Sequence, residues 1–173
     1  MMIYLILFFV LIVVYVIYLY NRLISSRQNV TEAWSDIDVQ LKRRHDLIPN
    51  LINLVKGYAT YEKNLFEQIS ALRTKALSLN TNDITRKSAV ETDIEKSLKS
   101  LIAVAESYPD LKASKTYLEL QEALTKTEDQ IASARRIYNS NAADYNTLVL
   151  SFPTNLLARL FGFIPSSYFQ SEE

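Results

Sequence analysis

The stretch "IYLILFFVLIVVYVIYLY", Ile3 to Tyr20, contains no charge, no glycine and no proline. As an α-helix it rises ~1.5 Å per residue and reaches roughly 27 Å, close to the thickness of a bilayer's hydrocarbon layer. A helix in a small soluble domain buries one stripe, whereas this run is apolar on every face and needs an apolar surrounding on every side. Tyr18 and Tyr20 stand at one end, where an amphipathic ring suits the headgroup layer. No basic segment precedes Ile3 and no small-residue cleavage pattern follows Tyr20, so a cleavable signal peptide fits poorly. The run predicts a single-pass anchor over residues 1–21, in contact with the lipid bilayer through residues 3–20, and a separate helical domain over residues 22–173. Arg22 and Arg27 follow the span, which favours a cell (inner) membrane topology with the N-terminus outside and the domain in the cytoplasm. The span carries no small-xxx-small pair that would make a close-packed dimer face.

Downstream, apolar residues recur in steps of four and three from Val30 through Trp34, Ile37, Leu41, Arg44, Ile48, Leu51, Val55, Tyr58, Glu62, Leu65, Ile69 and Leu72 to Ala76. That is a heptad seam, and its phase passes Pro49 unbroken. The spacing predicts one long helix kinked at Pro49, where the ring presses on the His45 carbonyl, with a turn capped by Asp46 as the alternative. "LNTNDITRK", Leu79 to Lys87, reads as a loop ending on an Asn82 or Asp83 cap. The following helix extends to about Ser107 and buries Ile94, Leu98, Leu101, Ile102 and Ala105. Pro109 breaks it, and Asp110 opens a third long helix with a seam through Leu111, Leu118, Gln121, Leu124, Glu128, Ile131, Arg135, Tyr138, Ala142, Tyr145 and Val149. "FPTN" stops that helix, and "LLARLFGF" is a short amphipathic segment that either folds back on the bundle, the reading favoured here, or lies in the membrane interface. With only 2 Gly and 4 Pro in 173 residues, the chain is expected to be all-α: an N-terminal transmembrane helix followed by an elongated antiparallel bundle of three to four helices.

The absence of cysteine removes disulfides, thiolate zinc sites and thiol catalysis. Nineteen Lys and Arg balance nineteen Asp and Glu, so no net field draws the domain to nucleic acid. His45 is the only histidine, followed by Asp46 and, four positions on, by Pro49. That resembles a phosphoacceptor helix, but no Gly-rich nucleotide-binding segment accompanies it, and a partly exposed structural histidine is the expected role. No phosphate loop, nucleophile elbow or clustered set of metal ligands is present. The polar seam members Arg44, Glu62, Glu128 and Arg135 sit where the period points inward. Ionised groups are rarely buried unpaired, so arginine–carboxylate pairs across helices are expected, setting register. The basic run Lys42-Arg43-Arg44 reads as a solvated face.

Three blocks, "YNRLISSRQNVTEAWSDIDVQLKRRHDLIPNLINLVKGYATYEK", "PDLKASKTYLELQEALTKTEDQIASARRIYNSNAADYN" and "FPTNLLARLFGF", resemble in order the signature segments of the LemA family. The resemblance runs from Tyr20 nearly to the C-terminus and leaves mainly the apolar run and residues 79–105 outside it. It implies a small bacterial membrane protein with an N-terminal span and a helical-bundle domain, related to proteins of magnetosome membranes, and it brings no established activity or catalytic residues. Matching positions include Trp34, Arg44, Asp46, Pro49, Pro109, Glu128, Arg135, Tyr138, Asn139, Asn146 and Pro153; they are motif positions without assigned roles. Some members are tethered by a lipoprotein signal, a route closed to a chain without cysteine.

These readings converge on a membrane-tethered scaffold or interaction protein with no catalysis, no cofactor, no metal and no small-molecule substrate. Its expected partners are the bilayer and a protein partner or a second copy. The alternative is a membrane-linked signalling element using the kink at Pro49 and His45, and an unrecognised hydrolase ranks last.

Overall fold

The computed structural model describes residues 1–59, 61–80 and 83–170. The helices are α1 (Met2–Lys56), α2 (Lys63–Ser78), α3 (Ile84–Glu106), α4 (Pro109–Lys112), α5 (Lys115–Leu150) and α6 (Thr154–Leu160), and no strand occurs among the described residues. The fold is all-α, as the periodicity predicts.

α1 is continuous for 55 residues, with Pro49 inside it. Proline has no N–H, so the His45 carbonyl one turn earlier loses its helical donor. Arg73 on α2 supplies the replacement, its Nε donating to the His45 oxygen at 2.8 Å. The tight-turn alternative at Asp46 is therefore not what the chain adopts. The heptad seam predicts one helix running on through Ala76, but α1 ends at Lys56 and a separate helix starts at Lys63. Past Lys56 the chain leaves the helix, Ala59 is fully buried, and α2 runs back along α1 instead of extending it. The seam from Val30 to Val55 is buried at every position, but Tyr58 is exposed and Glu62 becomes the residue preceding α2.

α3 begins as expected from Asp83, whose side chain accepts the Arg86 N–H at 3.2 Å; of the loop residues, Thr81 and Asn82 lie outside the described set, and Ile84–Lys87 already belong to the helix. Ile94, Leu98, Leu101 and Ala105 are buried, with Ile102 half-buried. The third long helix does not start at Asp110. Pro109–Lys112 form one short turn, and α5 restarts at Lys115. This restart rotates the phase, so Tyr117 is buried at 1% exposure while the expected Leu118 faces out at 51%. From Leu124 onward the predicted seam holds, with Ile131, Tyr138, Ala142, Tyr145 and Val149 all buried.

α5 lies antiparallel along α1: Arg44 meets Glu128, the Trp34 and Tyr138 rings stand edge to face at 5.6 Å, and Asn141 donates to the Asn29 carbonyl at 3.3 Å. The apolar interior divides into two clusters along this axis. One gathers Ile48, Val55, Phe66, Ile69, Ile94, Leu101 and Leu124 at the end of α1 far from the apolar run. The other gathers Leu23, Trp34, Leu41, Ile131, Tyr138 and Tyr145 with Ala158, Phe163 and Phe169 at the near end.

In the near half, α1 and α5 extend beyond the start of α3, and the extended residues 163–170 take the place of another helix. Phe163 and Phe169 are buried, and two asparagines one heptad apart on α5 hold the backbone between them. Asn146 accepts from Ser166 N (2.8 Å) and donates to Ser166 O (3.0 Å). Asn139 does the same at Phe169 (2.9 and 3.0 Å). Seven helical residues rise ~10.5 Å and three extended residues ~10 Å, so the two registers coincide. Tyr138 OH donates to the Ser167 carbonyl at 2.7 Å.

Before Leu19 the picture changes. Residues 1–15 are exposed throughout, as are Ile17 and Tyr18, and residues 2–18 continue α1 past the bundle as a bare apolar rod. Met2–Lys56 contains a window long and apolar enough to cross a membrane, and only 6% of that window is buried.

Candidate functional site

Arg44, His45 and Glu91 lie between the two apolar clusters, at 1%, 3% and 2% exposure. The heptad on α1 delivers Arg44 to the seam, and His45, one residue on, turns toward α3. Glu91 lies three residues before Ile94 and seven before Leu98, so the same stripe that makes α3 amphipathic points its carboxylate inward. Glu128 comes from the α5 seam, with 29% of its side chain exposed.

The guanidinium is held on two sides. Arg44 Nη1 reaches both Glu128 oxygens at 3.0 and 3.1 Å. Nη2 contacts the Glu91 carboxylate and donates to the Glu91 main-chain oxygen at 3.3 Å. His45 Nε2 is 3.2 Å from Glu91 Oε2 in hydrogen-bonding alignment and 3.0 Å from Oε1. A carboxylate only accepts, so Nε2 carries the proton. Burial disfavours both charges, yet the pairing outweighs it. The Arg44 pKa moves up because Glu128 and Glu91 oppose desolvation, and the Glu91 pKa moves down because the hydrogen bond from His45 and the charge of Arg44 do the same. One positive and two negative charges thus share the layer between the apolar clusters, and the buried Arg44 Nε in it has no hydrogen-bond partner among the described residues.

Chemically this layer is a clasp. His45 is neither solvent-facing nor half-exposed, contrary to the sequence expectation, because Glu91 draws the ring inward. A half-open cleft of about 300 Å³ lies beside it, lined by Asp38, Lys42, His45, Asp46, Arg73 and Lys87 among others. Lys87 there is committed: it pairs with Asp38 and its ammonium stands 5.5 Å from the Trp34 ring centroid. No group of three His, Asp or Glu side chains among the described residues is placed to hold a metal ion.

Of the four polar seam residues singled out from the sequence, Arg44 and Glu128 meet. Arg135 forms no ion pair among the described residues and contributes only its charge near Glu95, and Glu62 sits at the start of α2 away from the cluster. Glu91, the most buried acid of the set, is absent from the sequence expectation, although its place on the Ile94–Leu98–Leu101 stripe carried the signal.

The architecture defines an all-α protein in which one helix is both an apolar rod and the central seam of an up-down bundle. The chain belongs to the LemA family, whose model matches residues 33–173. It is 30% identical to Protein LemA of Metamycoplasma hominis over 97% of this chain and 78% of that protein. It is also 27% identical to Magnetosome protein MamQ 2 of Paramagnetospirillum magneticum and 25% identical to Magnetosome protein MamQ of Magnetospirillum gryphiswaldense, in each case over 88% of this chain. The match covers 65% of the length of each of these two magnetosome proteins.

Proposed function

We propose that this chain is a membrane-tethered helical scaffold that holds its bundle at a bilayer and performs no catalysis. The observation carrying this reading is the change at Leu19. Every residue before it but Val16 is exposed and apolar, and from Leu19 onward the same helix buries its seam. An exposed apolar helix without a partner is unstable in water, and a bilayer removes that cost without asking the bundle to rearrange. Similarity to proteins named for the magnetosome agrees with residence at a membrane. Arg22 and Arg27 at the exit point favour the bundle in the cytoplasm.

The buried charge layer serves as a register lock. A charge paired in place is strongly disfavoured when a helix slides, so the layer selects one alignment of α1, α3 and α5. The protein partner, or a second copy, meets the outer groove between α1 and α5, where Val39 and Ile137 are exposed at 59% and 56% beside Asp36, Lys126 and Asp129. A role for His45 in phosphotransfer has no support in a ring closed against Glu91.

The test has two arms. An alkaline carbonate wash of cell membranes should leave the full chain in the pellet, and a reporter fused after Glu173 should be active on the cytoplasmic side. A photocrosslinker at Val39 or Ile137 should capture one stoichiometric protein, whereas one at Thr125 should not. Release by carbonate overturns the tether, and capture of nothing at either groove position overturns the scaffold reading.

A further inference from the structure

The corner between α5 and α6 carries an apolar surface that the bundle does not use. Leu150, Phe152, Leu156, Leu160, Phe161 and Ile164 are exposed at 54–80%. Leu156 and Leu160 are one turn apart on α6, on the side opposite Thr154 and Ala158, which are buried against the bundle. Amphipathicity is thus resolved in an unusual way, with both faces of the corner apolar and only one of them covered by protein.

The height of this corner along α1 is fixed. Tyr20 stands 4.9 Å from the Phe161 ring and 6.0 Å from the Phe163 ring, and Arg27 lies 5.1 Å from the Phe163 ring centroid. α6 therefore sits beside the last turn of the apolar run. That run has little length to spare: residues 3–20 reach only roughly 27 Å against a hydrocarbon layer of about 30 Å. Seating it in a bilayer brings Tyr20 to the headgroup boundary, and Phe161 with it.

Charge points the same way. From Tyr145 to Gln170 the chain has no acidic residue, Arg159 projects from α6, and Arg22 and Arg27 flank the exit of α1. A surface with large apolar side chains, arginines and no carboxylates fits the interface of a bilayer containing anionic lipid.

We propose that the α5–α6 corner is a second membrane contact, an interfacial foot whose Phe152, Leu156 and Leu160 enter the boundary between headgroups and acyl chains. The proposal rests on the tethering reading and adds to it. A single span leaves the bundle free to tilt in any direction, whereas a foot beside the span fixes the direction and extent of its tilt.

The natural absence of cysteine allows a direct test on the full chain. Single cysteines replacing Val10, Ile137, Leu156 or Leu160 are labelled with an environment-sensitive fluorophore and reconstituted in phosphatidylcholine vesicles containing a minority of phosphatidylglycerol. Quenching is then measured with spin-labelled lipids carrying the nitroxide just below the headgroup or at mid-chain, and with aqueous iodide. The expected result is several-fold stronger quenching by the shallow nitroxide at 156 and 160 than at 137, with a blue-shifted emission, and quenching at 10 chiefly by the mid-chain nitroxide. Lipid quenching at 156 and 160 no greater than at 137, with 10 still quenched, overturns the foot and leaves the span standing. Protection of 156 and 160 from both quenchers also overturns it, since a protein then covers the corner. Failure of lipid to quench position 10 overturns the tethering reading underneath.

Discussion

Replacing Glu91 with Gln removes one charge from a layer where Arg44 and Glu91 are almost completely buried, at 1% and 2% exposure. The amide keeps the shape but leaves Arg44 with Glu128 alone, a partner whose side chain is 29% exposed and whose field is partly screened. Breaking one side of a buried ion pair typically costs ~3–5 kcal/mol, against a total stability of ~5–15 kcal/mol for a domain. With a urea m-value of about 2 kcal/mol/M, the unfolding midpoint falls by roughly 1.5–2.5 M. Glu128→Gln should cost only ~1 kcal/mol, because water reaches that position and can take over the lost acceptors. The two substitutions therefore separate a buried clasp from a surface pair. The assay is urea unfolding of the full chain in a mild non-ionic detergent, followed by helical circular dichroism. A double variant, Arg44→Met with Glu91→Leu, should recover most of the loss, because it removes both charges together. Equal small costs for Glu91→Gln and Glu128→Gln, or strict additivity in the double variant, would refute the clasp. The pH dependence follows from the sign of the Glu91 shift. A depressed carboxylate contributes fully above its ordinary value of 4.5, and that contribution is lost as pH falls through the lower folded value.

Three further expectations concern other parts of the molecule. Arg73→Ala should cost ~1–3 kcal/mol in the presence of Pro49, because it strips the His45 carbonyl of its donor, and much less in a Pro49→Ala background, where the helix supplies an N–H; a thermal-denaturation double-mutant cycle reads the difference. Asn146→Ala removes two hydrogen bonds to Ser166, worth ~1–3 kcal/mol together, and should free the tail, so chymotrypsin should cleave at Tyr168 faster than in the parent with the helices left intact. In an alkaline spectrophotometric titration Tyr138 should ionise at about 12, held up by burial, and disappear from that range in Tyr138→Phe. A phenol with a raised value stabilises the fold below its ordinary 10.0 and loses that contribution as pH rises through about 12.

What the sequence revealed follows from what periodicity encodes. A repeat of four and three fixes which side of a helix is buried, so Val30 to Val55 and Leu124 to Val149 were legible down to the polar members Arg44 and Glu128. Periodicity does not encode direction. The seam continues in phase past Val55, yet the chain doubles back before α2, which buries Phe66, Ile69 and Ala76 in one cluster with residues of both α1 and α3. The break between α4 and α5 shows the converse. Ala113 and Ser114 offer weak punctuation, and the new helix started one residue out of phase at Tyr117. Glu91 was missed for another reason: a glutamate on an otherwise ordinary amphipathic stripe reads as solvated until its partner is known. The tail was least legible, since an asparagine clamp on backbone atoms leaves no hydrophobic pattern in the clamped segment.

One unbroken helix joins the apolar rod to the far end of the bundle, through Pro49. Electron–electron dipolar spectroscopy on the full chain in lipid nanodiscs, with nitroxides at Tyr18→Cys and Lys56→Cys, measures it directly. Thirty-eight helical rises correspond to about 57 Å, and a single distribution centred there is predicted. A reversal at Pro49 would bring the labels to roughly 36 Å and contradict the account.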